Sequence, residues 1–145
     1  MEKQKICIIG GSLTGLITAL SLSRLNCEID LVTGNLNQKI KSNRTIAISQ
    51  DNYYFLQSLN IFKSANDEPW PCSKIKLYSE ISNQKFSETF EFNNYIKEQK
   101  QIFYMIENLK LIKNLMNKIK SIKSISVIKN EMIYEIANSG SLKSV

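Results

Sequence analysis

The chain has 145 residues, 43% hydrophobic and 22% charged, and 19 Lys and Arg against 13 Asp and Glu give it a net charge of +6. That length fits one domain, the composition is that of a soluble globular protein, and no apolar run approaches the ~18 residues of a membrane span. There is no His, and Cys7, Cys27 and Cys72 lie far apart, which excludes a Cys–His zinc site or catalytic pair within the chain.

Residues 5–9 form a continuous apolar run, the pattern of a parallel strand buried on both faces. The turn Gly10-Gly11-Ser12-Leu13-Thr14-Gly15 follows. Residues 13–25 then place Leu13, Leu16, Ile17, Leu20 and Leu25 on one side of a helix, with Asn26 as its end. Ile29 to Thr33 reads as a second buried strand. Strand, helix and strand make a βαβ unit.

Residues 34–43 are polar and read as a loop. After Arg44 to Ser49, Ser49 is positioned to cap a helix that turns Tyr53, Leu56 and Leu59 inward and ends at Asn60. Pro69-Trp70-Pro71 breaks the chain. Lys74 to Tyr78 alternates as a half-exposed strand and turns through Ser82-Asn83-Gln84 into Lys85 to Phe90. Ile102 to Ile106 is a short strand.

Glu107 to Lys120 has helical spacing, with Leu109, Ile112, Leu115 or Met116, and Ile119 inward and Lys110, Lys113, Asn117 and Lys120 outward. That pattern is open between a helix packed on a sheet and a basic helix lying on a membrane. Ser124 to Ile128 and Met132 to Ala137 read as strands, and 138–141 as a turn. The lysines are scattered and only Arg24 and Arg44 are arginines, so nucleic-acid binding is not expected. The three thiols read as reduced and structural. The start has no signal-peptide pattern, so the expected compartment is the cytosol.

Two stretches carry chemistry. The turn after the first strand matches G-x-G-x-x-G except that Ser12 stands at the middle glycine. In such a turn the first glycine permits the bend, the middle one admits a pyrophosphate and Gly15 lets the helix pack on the strand. Ser12 crowds that approach, although its hydroxyl can donate to a phosphate. The helix N-terminus supplies bare N–H groups and partial positive charge. At the end of the second strand, where a carboxylate would take ribose hydroxyls, the chain has Thr33; Asp30 comes too early. Arg44 suits bidentate phosphate contact, or is an exposed loop charge.

Taken in order, Gly10 to Leu16, the Arg-Thr-x-Ala-x-Ser of Arg44 to Ser49 and the Glu-Asn-x-x-Leu of Glu107 to Leu111 resemble the FAD-dependent aromatic hydroxylases of ubiquinone biosynthesis, relatives of para-hydroxybenzoate hydroxylase. The resemblance spans roughly residues 6–137. It implies an α/β fold: a Rossmann-like FAD-binding βαβ unit with a β-hairpin insertion at 74–90 and an incomplete parallel sheet. Residues 1–145 would be the N-terminal part of a discontinuous FAD-binding domain, with the substrate domain mostly absent.

It further implies that Gly10, Ser12, Leu13, Thr14 and Gly15 hold the FAD pyrophosphate, that Thr33 stands at the ribose position, and that Arg44 and Asn108 touch the cofactor. Leu109 stands where the ubiquinone branch usually has Arg. The implied reaction is hydroxylation of a polyprenylated phenolic ubiquinone precursor with NAD(P)H and dioxygen, in the cytoplasm at the inner face of the membrane. No residue is expected to be catalytic, and no metal is expected. Two other readings stand beside it. One is a truncated, non-catalytic nucleotide-binding or structural remnant. The other is an NAD-dependent enzyme with the same opening, against which Arg44 and Glu107-Asn108 argue.

Overall fold

A computed structural model of the chain describes residues 3–34, 44–82, 85–93, 101–129, 137–139 and 142–144. These divide into two compact units, residues 1–41 with 112–145 and residues 42–111.

The first unit holds β1 (Gln4–Ile9), α1 (Leu13–Leu22) and β2 (Cys27–Thr33). β2 pairs in parallel with β1 on one side and with β8 (Ile125–Lys129) on the other. The three-stranded order is therefore β1-β2-β8. The fold is mixed α/β with a partial parallel sheet. α1 packs on β1 and β2. It sends Leu16, Ala19 and Leu20 into a core shared by Cys27, Ile29 and Leu31 of β2 and Ile125 of β8. A second pair, β9 (Ala137–Ser139) and β10 (Leu142–Ser144), is antiparallel.

The second unit holds β3 (Thr45–Ile48), α2 (Gln50–Ser58), a 3-10 turn (Ala65–Asp67), β4 (Trp70–Cys72), β5 (Lys74–Ser82), β6 (Lys85–Asn93) and β7 (Phe103–Glu107). β7 is central, antiparallel to β3 and β4. β5 and β6 form a separate antiparallel hairpin with bulges at Leu77/Tyr78 and Glu80/Ser82. The core here is Tyr53, Leu56, Leu59, Ile61, Ile106 and Leu111. The division between the units falls within α3 (Asn108–Ile119).

Several expectations are met in detail. Ser49 caps α2, its hydroxyl accepting from the Asn52 N–H at 3.2 Å. Tyr53, Leu56 and Leu59 are buried, and Asn60 ends the segment in the left-handed region at φ 55°.

Others are corrected. α1 stops at Leu22 with Ser23 as its C-cap, so Leu25 is 60% exposed and Asn26 does not adopt positive φ. Ser21 and Ser23 hydroxyls donate to the carbonyls of Ile17 and Leu20, a local bonding that competes with helix continuation. β1 is not buried on both faces: Cys7 is exposed and Ile9 is 47% exposed, because β2 and not β1 is the central strand. In α3 the buried series is Leu111, Leu115 and Ile119; Leu109 and Ile112 are only half-buried. Residues 45–48 and 70–72 form strands, and 138–139 continue β9 rather than turning. The expected turn at Asn83-Gln84, the bulk of the loop at 34–43 and most of the strand at Met132 to Ala137 lie outside the described residues.

Candidate functional site

β1 runs straight into the glycine turn. The Gly10 N–H donates to the Val32 carbonyl at 2.9 Å, which carries the β1–β2 ladder one step past Ile9. Gly10 itself has φ +128°, a conformation that L side chains avoid, although a Cβ there would meet nothing within 4 Å. Conformation, not space, requires this glycine. Gly15 is the opposite case. A Cβ on it would collide with the Gly10 carbonyl oxygen and lie 3.1 Å from the Gly10 carbonyl carbon. The first turn of α1 thus sits directly against the bend, with no room for a side chain between them.

Ser12 is the N-cap of α1, at φ −74° and ψ 172°, and its side chain makes no capping bond. Ser49, at φ −64° and ψ 164°, has nearly the same backbone and does cap its helix. α1 also carries no acidic residue in its first turn. Its N-terminus is therefore left without the side-chain anion or acceptor that helix starts commonly recruit. Ser12 and Thr14 are exposed, and Leu13 is half-buried.

Thr33 closes β2. It is 1% exposed, and its hydroxyl donates to the Gly34 carbonyl at 2.7 Å. Asp30 is held by Lys5 at 2.9 Å, which favours the charged form of Lys5 and raises its pKa. The β2–β8 register sets Lys129 beside Thr33. Sequence reasoning passed over Lys129, because only strand pairing brings it to the end of β2.

In the second unit, Arg44 is exposed and Asn108 half-buried. The Asn108 N–H donates to the Arg44 carbonyl at 3.0 Å, one step beyond the Thr45–Glu107 pair of the β3–β7 ladder. The fold thus brings together two residues widely separated in the chain. In the same unit, Tyr53 stacks on Tyr104 with ring centroids 4.1 Å apart. The Tyr53 hydroxyl donates to Glu68 at 3.2 Å and accepts from Gln57 Nε2 at 2.7 Å. Burial, and then the Glu68 carboxylate, raise the Tyr53 pKa. Of the expected site residues, Gly10 to Gly15 and Thr33 belong to the first unit and Arg44 and Asn108 to the second. Among the described residues no group of His, Cys, Asp and Glu is arranged to hold a metal ion.

No protein-family model matches this chain, and no curated protein matches it. Solved structures do. The chain is similar to p-nitrophenol 4-monooxygenase PnpA from Pseudomonas putida DLL-E4, with a TM-score of 0.73 at 13% identity over 96% of this chain and 35% of that one. A variant of PqsL from Pseudomonas aeruginosa matches with a TM-score of 0.70 at 12% identity over 88% of this chain and 34% of that one. The flavin-dependent monooxygenase PieE, solved with FAD and substrate, matches with a TM-score of 0.65 at 17% identity over 88% and 24%. At such identities the likeness is one of fold, and the chain spans about a third or less of the length of these structures.

Proposed function

We propose that the turn between β1 and α1 holds the pyrophosphate of FAD, and that the chain is the FAD-binding portion of a flavin-dependent aromatic monooxygenase. The observation that carries this reading is the bend itself. Gly10 takes a conformation reserved for glycine, Gly15 has no room for a Cβ, and the helix start behind them has no side-chain cap. Such a helix start presents bare N–H groups and partial positive charge to a phosphate. The fold shared with PnpA, PqsL and PieE supports FAD over another dinucleotide.

In this reading the backbone N–H groups of Leu13, Thr14 and Gly15 and the hydroxyl of Ser12 bind the phosphates. The redox chemistry, hydride uptake from NAD(P)H and oxygen transfer to an aromatic ring, is what FAD supplies when bound. The described residues contribute binding and orientation, and none is assigned a proton transfer. The finer substrate reading, a polyprenylated phenolic ubiquinone precursor met at a membrane surface, rests on the ordered motifs Gly10 to Leu16, Arg44 to Ser49 and Glu107 to Leu111. No described helix is long and apolar enough to cross a membrane.

The test is FAD titration followed by flavin fluorescence, with Ser12→Asp as the variant. Asp caps helices as well as Ser, so the fold is kept, while its carboxylate repels a phosphate. Wild type is expected to bind FAD, and Ser12→Asp to weaken it at least about tenfold, from charge repulsion at a helix start. Absence of binding, or equal binding by the variant, overturns the reading.

A further inference from the structure

Lysines occur along the whole chain, but they are left unbalanced in one place. Residues 112–129, the larger part of α3 and the run through β8, hold Lys113, Lys118, Lys120, Lys123 and Lys129 and no Asp or Glu. Outside them, 14 Lys and Arg face 13 Asp and Glu, so this segment carries almost all of the net charge of +6. Among the described residues, carboxylates pair with Lys3, Lys5, Lys74 and Lys76 and with no lysine of 112–129.

The fold turns this charge outward. Leu115 and Ile119 bury the apolar side of α3 completely. Lys113 and Lys120 lie two turns apart on one stripe, with Asn117 between them, and all three are exposed. Lys123 and Lys129 beyond the helix are exposed as well, and Lys118 is half-buried. A helix C-terminus favours Lys118 and Lys120 for its own stability, but Lys113, Lys123 and Lys129 lie outside that turn.

We propose that this lysine surface of α3 and the run into β8 docks on an anionic lipid bilayer, by charge and without insertion. A cluster of four to eight basic residues is the usual size of such a site. Lysine is a compact charge on a flexible stem, which suits mobile headgroups that offer no fixed geometry. Nucleic acid fits less well, because residues 112–129 contain no Arg and no aromatic side chain to stack on a base. The apolar side of α3 is already spent on the core, so no wedge remains to enter the acyl layer. The proposal deepens the substrate reading above, in which a hydrophobic ring is met at a membrane surface, and it stands apart from FAD binding at the α1 turn.

Vesicle flotation tests it. The chain is expected to float with vesicles of phosphatidylcholine and phosphatidylglycerol in equal parts, not with phosphatidylcholine alone, and to be released as ionic strength rises. Lys113→Gln with Lys120→Gln should weaken binding at least about tenfold, from the loss of two charges at the surface. Lys63→Gln with Lys85→Gln, two exposed lysines of the second unit, removes the same charge and should change binding less than about threefold. Circular dichroism should be the same for both pairs. Equal flotation with neutral vesicles, equal loss in the two pairs, or tighter binding to a random DNA duplex than to the anionic vesicles overturns the proposal. FAD titration of the Lys113, Lys120 variant is expected to match wild type, so failure of lipid docking and failure of the flavin reading are seen separately.

Discussion

Ser12 and Ser49 occupy the same position on two helices and do different work there. Ser49 satisfies the Asn52 N–H, whereas the Ser12 hydroxyl makes no cap bond. Ser49→Ala is therefore expected to cost ~1 kcal/mol, the usual worth of an N-cap. Ser12→Ala should cost little stability and show its effect in nucleotide affinity. Urea unfolding of both variants beside FAD titration reads the difference. The same logic applies to Tyr53, whose hydroxyl joins Glu68 and Gln57 while its ring stacks on Tyr104. Tyr53→Phe keeps the stack and leaves two exposed partners to water, an expected loss of about 1 kcal/mol. Tyr53→Ala also removes buried ring surface, an expected loss of ~3 kcal/mol. Similar unfolding midpoints for the two variants would mean that the hydroxyl, not the ring, holds β7 against α2.

At the scale of elements, the β5–β6 hairpin is held on one face by Lys74 and Lys76 against Glu88 and Glu91, at 2.8 to 3.1 Å. The Asn93 side chain, followed by Lys74 and Lys76, holds the Glu91 carboxyl down at about 2 against an ordinary 4.5. Because the folded value is the lower one, this pairing contributes stability above pH 4.5 that is lost as pH falls toward 2. Protection factors of the hairpin amides, corrected for the intrinsic pH dependence of exchange, should fall over that window in wild type and stay nearly constant in Glu91→Gln.

The elements also mark what the sequence made legible. The glycine turn, the Ser49 cap and the Asn60 stop are local signals, set by residues a few positions apart, and all three are present in the structure. In α3 the structure buries Leu111 where the helical spacing points to Leu109 and Ile112, because spacing alone does not fix which side of an apolar stripe is covered. The pairing of Thr33 with Lys129 and of Arg44 with Asn108 depends on strand register between distant segments, which no local pattern encodes.

Across the whole molecule, apolar surface is unevenly covered. β1 and β8 flank the parallel sheet and leave Ile9 at 47% and Ile128 at 42% exposure. The hairpin pairs Ile75 with Phe92 and Leu77 with Phe90, opposite the face that carries its ion pairs, and leaves Leu77, Phe90 and Phe92 between 46% and 51% exposed. Monomeric proteins seldom leave such apolar groups contiguous, and a two-stranded hairpin alone is marginal in water. The isolated chain is therefore expected to self-associate as its concentration rises and to bind a hydrophobic dye in its native state. A Phe90→Thr, Phe92→Thr pair keeps β propensity while removing the aromatic face. If that face drives association, light scattering should show the double variant shifted toward monomer and dye binding should fall, with the cooperative unfolding transition retained. An unchanged mass distribution in the double variant would move the sticky surface to the strands that carry Ile9 and Ile128, where Ile128→Lys is the matching test. A wild-type chain that stays monomeric and dye-free at every concentration would mean that these exposed side chains are tolerated as they stand.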